Sequence, residues 1–259
     1  MKLVRFRTPT ATRFGRLAGD RVRELDGDPL VDPRETGRVY SLNQVHLLAP
    51  VRPGKIVGIG RNYRDHALEM GGEPPPWPDI FLKPSTAVIG PGDAIEIPAA
   101  SARVEIEAEL AVVVGRPLRD ATVAAAREAV FGYTIVNDVT ARDLQRADRT
   151  WTRGKGHDTF APLGPCIVTD LDPAALTIEG YINGERKQFA PTAEMIHDVF
   201  ELLAYVSRVM TLEPGDVLAT GTPQGVSPIA PGDVVEIVIE GIGRLRNPVI
   251  ARAAPPMGE

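Results

Sequence analysis

The sequence holds one cysteine, Cys166, among its 259 residues, so it offers no internal disulfide and calls for no oxidising compartment. Long apolar runs are missing as well. The longest uncharged one, residues 110–114, is far too short to span a bilayer. The first ten residues, MKLVRFRTPT, are basic but have no apolar stretch behind them, so they do not read as a signal peptide. There is no basic surplus: 29 Lys plus Arg stand against 34 Asp plus Glu, a net charge of −5, which argues against a nucleic-acid partner. The expectation is a soluble cytoplasmic protein that binds neither membrane nor nucleic acid. In contrast, 25 Gly and 24 Pro suit a chain with many turns, and the length fits one large domain or one domain with a small appendage.

Residues 1–50 read as a small N-terminal β domain and residues 51–259 as the main domain. Strand-like patterns occupy 4–7 and 14–17, Gly19-Asp20 is a hairpin signal, and residues 26–36 look like a loop. Pro-Gly-Asp occurs at 91–93, 214–216 and 231–233, each time before an alternating apolar run, and suits a turn that feeds a strand. One helix is expected from a cap at Asp120 to a stop at Gly132, through Ala124, Ala125, Ala126 and Val130. A longer one is expected from a cap at Thr192, with Ile196, Val199, Phe200, Leu203, Val206 and Met210 on one face. A short third helix over residues 63–70 stops at Gly71-Gly72. The remainder is strand and turn, a β-rich α+β chain without βαβ alternation.

The densest chemistry lies in residues 104–115, VEIEAELAVVVG. On one strand Glu105, Glu107 and Glu109 share a face, with neighbouring carboxylates about 6.5–7 Å apart. Such a row is usually a solvated outer face. Here the same face continues as Ala111 and Val113, so Glu109 and Glu107 approach a buried region, where crowded carboxylates need protons or a cation. Asp138 and Asp143 follow a second strand-like segment, each able to serve as ligand or turn cap. Carboxylate oxygens favour Mg²⁺ or Mn²⁺, and the lack of a cysteine pair and the four scattered histidines argue against zinc. His46 reads as a linker surface residue and His197 as a packed or capping residue on the long helix. His66 has Glu69 three residues on, a neighbour able to fix its tautomer and make the other nitrogen a better base. Lys155 and His157 fall in a cationic, glycine-flanked loop, where a solvated lysine is the ordinary outcome and an anion contact the alternative. Residues 220–225, TGTPQG, resemble an anion-binding loop without the Gly-Lys-Ser/Thr of a nucleotide site. The proline-rich 71–78 segment fits a lid.

Taken in order, residues 58–66 (GIGRNYRDH), 81–84 (FLKP), 107–110 (EAEL), 137–143 (NDVTARD), Lys155 and 220–223 (TGTP) resemble the fumarylacetoacetate hydrolase family. The first segment resembles the small N-terminal domain of its short bacterial members. The resemblance implies a mixed β-sandwich roll around a buried metal site, usually in a homodimer. It carries Mg²⁺ or Mn²⁺ ligation onto Glu107, Glu109 and Asp138 and leaves Glu105 outside. It implies His66 and Glu69 as a water-activating or proton-shuttling pair on a mobile lid. Lys155 and Arg142 would hold substrate or metal-bound oxygens, and Thr222 a substrate carboxylate. His157 and the proline run match no fixed family residue.

Family substrates are small 2-oxo acids or their enols, and the metal acts as a Lewis acid toward an enolate. The short architecture points to 2-hydroxyhepta-2,4-diene-1,7-dioate isomerase or the related decarboxylase of aromatic-acid catabolism. An acylpyruvate or fumarylpyruvate C–C hydrolase and an oxaloacetate decarboxylase are the alternatives. A different class is a β-rich binding protein with a structural cation, which would need no poised base.

Overall fold

In the computed structural model, residues 1–253 are described and form twenty strands, five α-helices and four short 3-10 turns. Residues 254–259, where the expected main domain ends, lie outside the described residues. The chain opens with β1 (Lys2–Arg7), β2 (Thr12–Ala18), β3 (Arg21–Asp26), β4 (Arg34–Ser41) and β5 (His46–Leu48). Next come β6 (Ile56–Gly60), α1 (Arg64–Glu69), β7 (Asp79–Lys83), β8 (Val88–Ile89), β9 (Ile95–Ile97), β10 (Val104–Ile106) and β11 (Ala108–Val114). Then follow α2 (Val123–Glu128), β12 (Val130–Asn137), β13 (Thr140–Ala141), α3 (Arg142–Ala147), α4 (Thr152–Lys155) and β14 (Ala161–Val168). The chain finishes with β15 (Thr177–Ile182), β16 (Glu185–Pro191), α5 (Val199–Ser207), β17 (Val217–Ala219), β18 (Ser227–Ile229), β19 (Val234–Ile239) and β20 (Gly243–Ala251).

The main sheet runs in the order β4-β3-β2-β1-β14-β12-β11-β17-β6-β7, so the N-terminal meander joins it where β1 lies antiparallel to β14. A three-stranded sheet, β13-β10-β18, and a five-stranded one, β16-β15-β19-β20-β9, complete the β structure. β11 lies in the middle of the main sheet and is buried along its whole length. Its Leu110, Val112 and Val114 enter one apolar cluster and Ala111 and Val113 another, as a central strand with no solvent face requires. Among the described residues no helix is long and apolar enough to cross a membrane.

The three Pro-Gly-Asp turns behave alike. Gly92, Gly215 and Gly232 take φ of +84°, +88° and +98°, and each aspartate accepts the N–H three residues earlier (Gly90, Glu213, Ala230) at 2.8 Å. Each triplet leads into a strand, β9, β17 or β19.

Several expected boundaries shift. Residues 104–115 form two strands, not one. The ladder breaks at Glu107, whose N–H donates to Asn137 Oδ1 (3.0 Å) while its carbonyl accepts from the Asp138 N–H (2.9 Å). Thr122, not Asp120, caps α2 through its hydroxyl, and Gly132 lies inside β12, where an added Cβ would come within 2.6 Å of the Val168 carbonyl. Thr192 starts only a 3-10 turn; α5 begins after Asp198, which forms a capping box with Glu201. The loop expected over 26–36 ends at Arg34, because β4 is an exposed polar edge strand with no apolar alternation to announce it.

Candidate metal centre and cleft

The break after β10 brings the acids together. Ala108 pairs with Asn137 across β11 and β12, so Glu107 and Asp138, one residue outside that pair, become neighbours. Glu109 extends from β11 on the same side as Glu107, in keeping with the two-residue period. Glu107, Glu109 and Asp138 are all buried, and one oxygen from each lies within 4.8 Å of the others. Burial of the whole row excludes the solvated-face reading.

Cations surround this cluster unevenly. Lys155 Nζ donates to Glu107 Oε2 and Asp138 Oδ2, both at 2.5 Å. Lys83 Nζ donates to Asp138 Oδ1 and to the Val139 carbonyl. Arg142 bonds Glu107 Oε1 through Nη2, Glu105 Oε2 through Nε at 2.6 Å and Gln145 Oε1 through Nη1 at 2.5 Å. Burial opposes ionisation of Glu107, but Lys155 and Arg142 outweigh it and hold the carboxyl well below the usual range. Burial likewise opposes the charge on Lys155, and Asp138 and Glu107 outweigh it, so the ammonium is held above its ordinary value. For Lys83 burial prevails over Asp138, and its pKa falls.

Glu109 differs. Its carboxylate accepts the Gly221 N–H at 2.8 Å, but among the described residues no cationic side chain forms an ion pair with it. Burial, then the charges of Asp138 and Glu107, push it well above the carboxylate range. Nearby Tyr63 is buried with a hydroxyl that has no hydrogen-bond partner, and burial followed by Glu109 raises its pKa. Three converging hard oxygens, one of them uncompensated, fit a divalent cation held by Glu107, Glu109 and Asp138.

The TGTPQG loop does bind anions, but they are the chain's own. Gly221 binds Glu109, and the Gly225 N–H reaches both oxygens of Glu69 at 3.1 and 3.2 Å. The Thr220 and Thr222 hydroxyls donate inward, to the Leu110 and Ala108 carbonyls. Gly221 (φ +97°) passes so close to Asn62 that an added Cβ would sit 2.8 Å from the Asn62 Cβ. α1 faces this loop. Buried His66 places Nδ1 3.2 Å from Glu69 Oε2. Burial works against the Glu69 charge, and His66 and the Gly225 N–H overcome it, keeping the carboxyl below its usual range. An ionised Glu69 only accepts, so Nδ1 carries the hydrogen, and in the neutral ring the lone pair lies on Nε2.

A cleft of about 290 Å³ joins His66, Glu107, Arg142, Lys155 and Thr222, with Trp151 along its wall. The structure thus gathers around one place the eight residues to which the family resemblance gives a role, with Glu109 and Asp138 behind the cleft surface. Lys155 is not in a solvated loop: it ends α4 and is buried. Asp143 is a structural cap that accepts from Ser101, Ala102 and Leu144. His197 precedes α5, not on it, and its backbone clasps the Asn62 amide. His46 lies on β5, with Nε2 3.4 Å from Asp93, and His157 packs edge-on against Phe160. The sequence reading gave no role to Lys83, Asn62, Tyr63 or Gln188. The first three lie within or beside the 58–66 and 81–84 motifs. Gln188, buried in the polar-looking β16, bonds the Ala108 N–H, Thr222 Oγ1 and the Pro223 carbonyl.

Residues 55–250 match the family model described as fumarylacetoacetate (FAA) hydrolase C-terminal, and residues 1–50 match one described as Rv2993c-like, N-terminal. The chain is similar to a solved 2-hydroxyhepta-2,4-diene-1,7-dioate isomerase from Mycobacterium marinum, with a TM-score of 0.91, 47% identity and coverage of 98% of this chain and 100% of that one. It is 42% identical to the oxaloacetate tautomerase YisK of Bacillus subtilis, over 82% of this chain and 75% of the relative. A maleylpyruvate hydrolase from Sphingobium sp. SYK-6, solved with manganese(II) and pyruvate, aligns with a TM-score of 0.81 at 32% identity, covering 98% of this chain and all of the other.

Proposed function

From the membership of this chain in the fumarylacetoacetate hydrolase family, we propose that it is a Mg²⁺- or Mn²⁺-dependent enzyme that moves protons on small 2-oxo acids and their enols. Within that class the reading is 2-hydroxyhepta-2,4-diene-1,7-dioate isomerase or the related decarboxylase. A divalent cation bound by Glu107, Glu109 and Asp138 would supply Lewis-acid stabilisation for charge developing on the oxygens of a 2-oxo acid. Lys155 and Arg142 hold Glu107 and Asp138 in place and offset their charge. His66 Nε2, with Nδ1 fixed by Glu69, takes a proton from the carbon next to the oxo group and returns it elsewhere on the conjugated chain. Ile59, Met70 and Trp151 give the cleft an apolar stretch of wall.

The observation that carries this reading is the oriented His66–Glu69 pair on the same cleft as Glu107 and Lys155. A cation-stabilised binding protein has no use for a poised base. The same pair, given a water instead of a carbon acid, favours a second reading as a C–C hydrolase of acylpyruvates. The test is proton exchange at C3 of oxaloacetate and pyruvate in D₂O, followed by NMR with Mg²⁺ and with EDTA. Exchange that needs the metal and disappears in His66→Ala is the expected result. Exchange that survives both would refute the proposal. The reading also takes the working unit as a homodimer, which light scattering on the purified protein checks.

A further inference from the structure

The cleft contains a guanidinium that the chemistry above leaves unused. Arg146 follows Arg142 by four residues on α3, so it lies on the same helix face, about 6 Å further along the axis. Both line the cleft. Arg142 is buried and engaged by Glu105, Glu107 and Gln145. Arg61, also on the cleft, is neutralised by Asp79, with contacts of 3.0 and 2.6 Å. Arg146 is exposed, and among the described residues no carboxylate lies within the 4.0 Å of an ion pair. The acids nearest to it in sequence are committed elsewhere: Asp143 to Ser101 and two backbone N–H groups, Asp148 to Arg153.

The cleft therefore has a polarity. Its buried end holds Glu107 and Lys155, its wall is formed by Ile59, Met70 and Trp151, and its exposed end presents one uncompensated cation. Trp151 is held over Gly60, where an added Cβ would come within 2.6 Å of the indole ring, so the apolar stretch of the wall is fixed by packing.

We infer that Arg146 is a specificity-determining residue that pairs with a second carboxylate at the far end of the substrate. This rests on the 2-oxo acid reading of the buried end. It selects 2-oxo acids that carry a second, terminal carboxylate over acids of equal length with an apolar end.

The test compares 2-oxoheptanedioate with 2-oxoheptanoate, which match in length and differ in the terminal group, by C3 proton exchange on the Mg²⁺-loaded protein. The wild type is expected to favour the diacid. Arg146→Met should lower the diacid-to-monoacid ratio of kcat/KM about tenfold, through KM, the effect of losing one charge-assisted pair. Arg146→Lys should restore most of the ratio. Equal handling of the two acids by the wild type, or an equal loss on both in Arg146→Met, would overturn the role of Arg146 alone. No exchange of either acid by the wild type would overturn the 2-oxo acid reading and this inference together.

Discussion

Glu109→Gln distinguishes a metal centre from a purely structural charge cluster, because metal should cancel or reverse its effect on stability. Four carboxylates, Glu105, Glu107, Glu109 and Asp138, face three buried cations, Lys83, Arg142 and Lys155, while Arg103 reaches only Glu105 from the surface. Glu109 is the acid left without an ion pair. Glutamine has nearly the same shape, keeps an oxygen for the Gly221 N–H and carries no charge. In EDTA the variant should therefore be more stable than the wild type, by about 1–3 kcal/mol if the unmatched buried group costs the usual amount. At about 2–4 °C per kcal/mol for a chain of this size, Tm should rise by at least about 2 °C. With Mg²⁺ or Mn²⁺ at a hundredfold excess over Kd, the wild type should gain about 2.7 kcal/mol by mass action. That corresponds to roughly 5–11 °C. The variant should gain little of this. Scanning calorimetry of stripped and metal-loaded samples reads both effects. A variant less stable than wild type in EDTA, or one with an undiminished metal response, would refute the reasoning.

His66→Ala should reduce acylpyruvate hydrolysis by about 10²–10⁴-fold, the usual cost of a lost general base, while metal-dependent decarboxylation of oxaloacetate persists; paired rate measurements at one pH check this, and Glu69→Gln should act in the same direction less severely. Amides in residues 71–77, which lie beyond α1 and outside any strand, should exchange hydrogen quickly and slow on addition of oxalate with Mg²⁺, as mass spectrometry would detect. Cys166, 1% exposed and with its thiol pushed up to about 11 by burial, should resist a disulfide reagent at pH 8 in the native protein. It should give one equivalent on unfolding, and rapid labelling of the native state would contradict the packing around it.

The acidic cluster was legible in part from short local patterns, and the exclusion of Glu105 and Asp143 from it came only from the family resemblance. Glu107 and Glu109 stand two apart beside an apolar run, and Asp138 follows a second strand-like segment. The Pro-Gly-Asp turns were legible for the same reason, since a turn is decided by adjacent residues. Asp198 was missed as the cap of α5 because apolar spacing continues upstream through Ile196, although Asp198 and Glu201 spell a capping box. The break at Glu107 could not be read from alternation, since a strand that changes sheets keeps its two-residue period. Gln188 illustrates the larger limit. It sits in a polar stretch, Glu185-Arg-Lys-Gln, and becomes buried only because β16 passes beneath Ala108, eighty residues away in sequence.

The wide spacing of these contacts also bears on the order in which the molecule assembles. Asn62 reaches Thr220 across 158 residues, Gly221 reaches Glu109 across 112, and Lys155 reaches Glu107 across 48. Asn62 follows β6, and Thr220 and Gly221 follow β17, so these contacts are complete only once that equally distant strand pair, Ile56 with Val217, has formed. The acids thus have no common place to hold a cation until folding is nearly complete. A divalent ion would then act as a latch on the finished molecule: it would slow unfolding while leaving the folding rate almost unchanged. The lifetime of the native state, more than the ease of reaching it, would follow the supply of metal.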